Sequence, residues 1–308
     1  MPQDYNMDIN EFNNITKSLL SSYKKHSGNE LSTPDFFPDR TSVTEVVETL
    51  RQLVFPGYFD KHAVGLEYSE YRIGTLLFEV KQKLQKQIYR VLIHQNEETD
   101  RKIISDRARE ISSAFLKKIP DIRETLLTDV SAVFEGDPAA KNKHEIIFAY
   151  PGMLAVSVYR LAHELYAMSV PLIPRIMTEY AHSFTGIDIN PGAKIGRYFF
   201  MDHGTGIVIG ETTEIGNYVK IYQGVTVGAV STRGGQSLRG KKRHPTLEDY
   251  VTVYSGASIL GGDTIIGRGS VIGSNTFITR SVPPNTRVSI KAPELTYKET
   301  TEELDYTQ

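Results

Sequence analysis

Residues 209–228 read Ile209-Gly210-Glu211-Thr212-Thr213-Glu214-Ile215-Gly216-Asn217-Tyr218-Val219-Lys220-Ile221-Tyr222-Gln223-Gly224-Val225-Thr226-Val227-Gly228. The aliphatics Ile209, Ile215, Ile221 and Val227 recur every six residues, glycine follows three of them, and Thr213, Val219 and Val225 stand four positions beyond. A sandwich strand alternates with period two between variable turns. A fixed period of six with glycine at one phase means one short strand and one tight corner per repeat, and three such flats close one triangular coil. The same spacing of six runs through Ile189, Ile195 and Met201 before this stretch, with a two-residue slip between, and resumes later through Leu260, Ile266, Ile272 and Ile278. The small or β-branched residue four places on recurs as Ala193, Thr264, Ser270 and Thr276. The expected domain is a coil of hexapeptide repeats over residues 185–292; its hand is not fixed by the spacing.

Upstream the pattern changes. Glycine is sparse over residues 1–184, and the signals are helical. Residues 41–45, Thr-Ser-Val-Thr-Glu, resemble an N-cap opening, and residues 75–94 are helix formers with spaced apolar positions. Asp137-Pro138 supplies a candidate N-cap with proline at the first helical position, and residues 146–168 then predict one buried helix. The fold class expected is α+β: an α-helical N-terminal domain, the coil, and an acidic tail over residues 293–308. That tail carries one aliphatic residue after residue 296, Leu304, too little apolar surface to fold.

Composition narrows the function classes. Of 308 residues 40% are hydrophobic and 23% charged, and the formal net charge is −2, with no block of like charge suited to nucleic acid or a membrane surface. There is no cysteine, which excludes disulfides, thiolate metal sites and a cysteine nucleophile, and points weakly to the cytoplasm. The N-terminus lacks the basic-then-apolar pattern of a signal peptide, and the apolar run at residues 146–158 is too short to span a bilayer.

The repeat is interrupted at residues 228–245, a polar, glycine-rich segment that predicts a protruding loop, with cations Arg233, Arg239, Lys241, Lys242 and Arg243 suited to phosphates or a carboxylate. Ahead of it lie Asp188 and the pair Asp202-His203. With about eighteen residues per coil and coils about 4.8 Å apart, Asp188 and His203 are expected at nearly the same corner of neighbouring coils, within hydrogen-bond reach. A carboxylate on one ring nitrogen fixes the tautomer and frees the other to accept a proton, as a general base requires. His244, beside Arg243 at the end of the loop, is expected to fold back over the same region.

These residues carry a family resemblance. The runs Asp188-Ile189-Asn190-Pro191-Gly192-Ala193-Lys194-Ile195-Gly196 and Met201-Asp202-His203-Gly204-Thr205-Gly206-Ile207-Val208-Ile209-Gly210-Glu211-Thr212, with Arg243-His244-Pro245, resemble bacterial serine acetyltransferases. So do Asp137-Pro138-Ala139 and Tyr159-Arg160-Leu161-Ala162-His163 upstream. The resemblance implies a left-handed parallel β-helix and direct transfer of acetyl from acetyl-CoA to the L-serine hydroxyl, the first step of cysteine biosynthesis. It implies His203 as the base oriented by Asp188, Asp137 and Asp202 on the substrate amino group, and Arg243 and His244 on its carboxylate. Gly228, Ser255, Gly256, Ala257 and Lys291 match the cofactor side, with backbone N–H groups near Gly228 as oxyanion donors. No resident metal is expected. A homotrimer, paired into a dimer of trimers, and feedback by L-cysteine also follow from the resemblance. The sequence departs from the family pattern at Asn190, in the longer basic loop, in residues 288–294 that close the coil, and at Gln308. Gln308 in place of the usual isoleucine argues against a tight tail-mediated complex with O-acetylserine sulfhydrylase. Three other readings stand beside this one: a sugar or xenobiotic O-acetyltransferase of the same coil class, a zinc hydratase resembling gamma-class carbonic anhydrase with His203 and His244 among its ligands, and a structural scaffold.

Overall fold

Asp39 caps a helix that begins at Arg40: its carboxylate accepts from the backbone N–H groups of Thr41 and Ser42, so the cap lies two residues before the expected one. In the structure, a computed structural model that describes residues 8–26, 37–60, 69–95 and 99–291, the described helices are α1 (Ile9–His26), α2 (Arg40–Val54), α3 (Ser69–Gln95), α4 (Arg101–Gly136), α5 (Lys143–Ala149), α6 (Pro151–Ala167) and α7 (Ile173–Thr185). The tail over residues 293–308 lies outside the described residues. Helix α1 buries none of its side chains, whereas α2 to α7 pack into one core continuous with the interior of the coil. Among the described residues no single helix is long and apolar enough to cross a membrane.

Two sequence expectations in this half change. Asp137 does not open a helix: it is the C-cap of α4, its N–H bonded to the Val133 carbonyl, and Asn142 caps α5 instead. The single helix expected over residues 146–168 is broken, because Pro151 forces Tyr150 into an extended conformation, and α5 and α6 meet at 75°.

The coil has three parallel flats. The first holds β1 (Asp188–Ile189), β4 (Val208–Ile209), β7 (Thr226–Gly228), β10 (Ser258–Leu260) and β13 (Phe277–Ile278). The second holds β2 (Lys194–Ile195), β5 (Glu214–Ile215), β8 (Thr246–Leu247) and β11 (Ile265–Ile266). The third holds β3 (Phe200–Asp202), β6 (Lys220–Tyr222), β9 (Thr252–Val253), β12 (Val271–Ile272) and β14 (Arg287–Val288). The six-residue aliphatics Ile209, Ile215, Ile221 and Val227 point inward and are buried, and Ala193, Thr213, Val219, Val225, Thr264, Ser270 and Thr276 fill the corners behind them. One phase assignment needs correction: the inward residue of β10 is Ile259, which pairs with Val227 and Ile278, while Leu260 pairs with Gly228. The extra residue is taken up at Gly261, whose φ of +105° few other residues adopt.

Three tyrosines hold the corner between the second and third flats. Tyr198, Tyr218 and Tyr250 have φ of 58°, 58° and 61°. Their rings stack at 4.3 Å and 4.9 Å, and the Arg268 guanidinium lies 4.6 Å from the Tyr250 centroid. Stacking and cation–π attraction offset the cost of a left-handed backbone at a side-chain-bearing residue.

Candidate active site

The helical domain is bolted to the first coil. Arg160 donates through Nε and Nη2 to both oxygens of buried Asp129, at 2.6 and 2.9 Å, and reaches the carbonyls of Ile195 and Gly196. Tyr159 donates to the Ala193 carbonyl at 2.6 Å, and His163 Nδ1 lies 2.8 Å from the Pro191 carbonyl. The Tyr159–His163 segment is thus a clamp between domains. Gly136 and Gly152 complete it: a Cβ at Gly136 would press on the Phe200 ring, and one at Gly152 on the Met201 carbonyl. The end of α4 and the start of α6 therefore both abut β3, whose last residue is Asp202.

That packing gathers the first group of candidate residues. Asp137 Oδ1 accepts from the Ala139 N–H at 2.8 Å, and Oδ2 accepts from the Tyr150 hydroxyl at 2.6 Å. The Tyr150 phenol is pushed up to about 12, first by its hydrogen bond to Asp137, then by burial and by the charges of Asp137, Glu145 and Asp202. Burial and the charges of Tyr254, Asp202 and Asp137 likewise raise Tyr222. Two carboxylates 65 positions apart in sequence thus act on the same pair of phenols. His203 follows Asp202 at the corner between the third and first flats with φ of 55°, its N–H bonded to Asp202 Oδ1 at 2.8 Å. Its side chain is 70% exposed, with Nδ1 3.6 Å from the same Asp202 oxygen. A non-glycine residue held left-handed with an accessible imidazole is the kind of strained position found at functional sites.

The expected Asp188–His203 hydrogen bond is not present among the described residues. Asp188 opens the first flat at the same corner, but its carboxylate faces Arg175 Nη1 of α7 at 3.3 Å. The first coil takes 20 residues, from Asp188 to Val208, and the second 18, from Val208 to Thr226, so an eighteen-residue coil misplaces the pair. Glu179, His182 and Asp188 are the one group of three possible metal ligands found among the described residues. Arg175 pairs with both Asp188 and Glu179 of that group, which places a cation among the three.

The second group sits elsewhere. Loop 228–245 protrudes with a short 3-10 turn at Gly235–Leu238 and exposed Arg233, Arg239 and Lys241, and returns over the corner between the first and second flats. Thr212 anchors it: Oγ1 accepts from the N–H groups of Arg243 and His244 at 2.9 and 3.1 Å. His244 Nδ1 lies 3.0 Å from the Thr212 N–H, which donates to it, so the ring proton is on Nε2. Burial, and next the Arg243 charge, push the His244 imidazole down to about 4. Arg243 Nη2 donates to Glu211 Oε2, and Tyr166 donates to Glu211 Oε1 at 2.9 Å. Burial opposes ionisation of Glu211, but the hydrogen bonds from Arg243 and Tyr166 outweigh it and hold its carboxyl below the usual range. Among the described residues, buried Arg243 Nη1 has no hydrogen-bond partner.

Within one chain the expected site is therefore divided. Asp137, Asp188, Asp202 and His203 lie by the corner between the third and first flats, together with Ser255, Gly256 and fully buried Ala257 on a later coil. Arg243, His244 and Gly228 lie by the next corner, across the first flat. His244 does not fold back over His203, and among the described residues no hydrogen bond or ion pair joins the two groups. Lys291 is exposed where the described chain ends. Sequence reasoning missed Tyr150, Glu211, Thr212 and Arg175, none of which carries a local signal beyond an ordinary polar residue.

Residues 78–158 match the family described as serine acetyltransferase, N-terminal. A serine acetyltransferase of Synechococcus elongatus is 45% identical over 260 residues, covering 82% of this chain and 81% of its own length. Serine acetyltransferase 1 of Entamoeba histolytica, solved in complex with L-cysteine, superposes with a TM-score of 0.70 at 41% identity, covering 79% of this chain and 86% of that one. The Neisseria gonorrhoeae serine acetyltransferase solved in complex with serine aligns with a TM-score of 0.53 at 25% identity, over 81% of this chain and 97% of that one.

Proposed function

The chain belongs to the serine acetyltransferase family, and from that premise we propose that it transfers acetyl from acetyl-CoA to the hydroxyl of L-serine with His203 as general base. The observation that carries this reading is the packing of the end of α4 and the start of α6 against β3, which brings Asp137 to the corner that holds Asp202 and an exposed, left-handed His203. Two carboxylates suit a substrate ammonium, and the imidazole next to them suits the hydroxyl on the neighbouring carbon. His203 takes the hydroxyl proton as the oxygen attacks the thioester carbonyl. The new C–O bond forms, the C–S bond breaks, and the proton passes to the departing thiolate. Asp202 steadies His203 through its backbone N–H and lies nearest Nδ1, and Asp188, at the same corner with its carboxylate on Arg175, is assigned the role of orienting the imidazole.

The substrate carboxylate needs the other group. Arg243 carries an unpartnered Nη1 and His244 a proton on Nε2, both donors to an anion. Because one chain separates these donors from Asp137, Asp202 and His203 by the width of the first flat, the site is completed between two copies. A cyclic trimer supplies this contact three times. Acetyl-CoA, the co-substrate, would lie along the same junction, where Gly228 of one copy and Ser255, Gly256 and Ala257 of the next offer small residues, with Lys291 further along. A Cβ at Gly228 would approach the end of the Leu260 side chain at 3.1 Å, so a larger residue there needs that side chain to shift. L-cysteine, which shares the ammonium and carboxylate of serine, fits the same donors and acts as a feedback inhibitor.

CoA release, followed with a thiol reagent across L-serine, O-phosphoserine, homoserine and sugar acceptors, tests the reading. Release with L-serine, suppressed by added L-cysteine, is expected. Release with a sugar and none with serine overturns it.

A further inference from the structure

We propose that Tyr150 is a positioning residue of the amino-group subsite, its hydroxyl fixing the Asp137 carboxylate beside Asp202. The inference rests on the reading that Asp137 binds the substrate ammonium. It starts from a backbone feature: Pro151 closes off the helical conformation to Tyr150, which sits at φ −79° and ψ 122° between two helices meeting at 75°. The residue is held from both sides. Its N–H donates to the Ile146 carbonyl at 3.2 Å, and its own carbonyl accepts from Met153 and Leu154 at 3.0 and 3.3 Å. The side chain therefore leaves a fixed point.

The hydroxyl ends 2.6 Å from Asp137 Oδ2. Asp137 needs this contact because it caps the end of α4 and is followed by a turn, and its other oxygen is bonded only within that turn, to Ala139. A carboxylate anchored at one oxygen still rotates about its own bonds. Anchoring the second oxygen from a different helix fixes its plane. Gly152, two residues beyond Tyr150, lets α6 approach the Met201 carbonyl, so one short segment sets the distance between Asp137 and Asp202. The phenol keeps its proton well into the alkaline range, so it remains a donor wherever the carboxylates are ionised.

Tyr150→Phe removes the donor and keeps the ring. The KM for serine should rise about tenfold or more, the worth of a hydrogen bond to a charged group, while kcat stays within about threefold and the KM for acetyl-CoA is unchanged. In an Asp137→Asn background the same substitution should add nothing. A merely structural Tyr150 gives an additive loss, or a fall in kcat with the KM for serine unchanged, and either overturns the proposal. If Asp137→Asn alone leaves the serine KM unchanged, the amino-group reading fails instead; if it raises KM while Tyr150→Phe does not, the positioning role alone fails. Should Tyr150→Phe prove unstable, 3-fluorotyrosine at position 150 keeps the shape and strengthens the donor, and should leave the KM for serine at or below the wild-type value. A KM for serine raised with kcat unchanged in the 3-fluorotyrosine protein overturns the proposal.

Discussion

His203 combines a left-handed backbone, an N–H held by Asp202 and a largely exposed imidazole. The neighbouring carboxylates are not equivalent: Asp202 touches the residue directly, and Asp188 is held by Arg175. If His203 moves the proton and Asp188 only orients it, His203→Ala should lower kcat by about 10²–10⁴-fold and Asp188→Asn by less, with assembly unchanged in both. Steady-state kinetics alongside light scattering checks this, and near-normal turnover in His203→Ala removes the mechanism. His244 invites a different test. Unfolded, its imidazole takes a proton near the ordinary histidine value, whereas in the fold it resists protonation down to about 4. Between those values the unfolded state binds more protons, so this residue lowers stability as pH falls through the window and contributes no slope above it. Urea denaturation of the wild type and His244→Asn should diverge in slope between about pH 6.5 and 4 and run parallel at higher pH.

At the scale of elements, the interruption of the coil is its most specified part. Loop 228–245 replaces a corner, and its return is pinned by one hydroxyl, Thr212 Oγ1, serving the backbone N–H groups of both Arg243 and His244. Gly210 is required for this seating, since a Cβ there would lie 2.3 Å from His244 Nε2. Helix α6 adds Tyr166 through Glu211, so the helical domain braces the loop as well as the first coil. The aromatic ladder of Tyr198, Tyr218 and Tyr250 does for the opposite corner what glycine does elsewhere: it makes a left-handed position tolerable, here by stacking.

For the whole molecule, the decisive feature is the separation of the donors Arg243 and His244 from the carboxylates and His203 by one flat. A site shared between copies predicts complementation. His203→Ala and Arg243→Ala, each weakly active alone, should recover about one quarter of wild-type activity when co-expressed in equal amounts, because about one junction in four then combines two intact halves. Separate purification and mixing without exchange should recover none. Absence of recovery in co-expressed assemblies of confirmed mixed composition would mean that each chain carries a complete site. The buried Asp129–Arg160 pair keeps the halves of this arrangement in register, since it ties α4 and α6 to the carbonyls of Ile195 and Gly196 at the next corner of the first coil.

The coil was legible in the sequence because its geometry repeats: every sixth side chain must enter the same narrow interior, and that demand writes itself as a period. Coil spacing and the interrupting loop drew attention to His203, Arg243 and His244, but the roles of these residues and of Asp137 and Asp202 were legible only through family resemblance, as their chemistry is common and their spacing has no period. What tertiary structure alone decided are the contacts between segments distant in sequence. Pro151 marks a break, but where Tyr150 points depends on Met201 admitting Gly152. Nothing local to Asp188 shows that Arg175 takes its carboxylate, and nothing local to Arg243 shows that Glu211 takes one of its nitrogens and leaves another bare. A hydrogen bond between distant residues is set by how whole elements pack, whereas a repeat is set by what each residue must do where it stands.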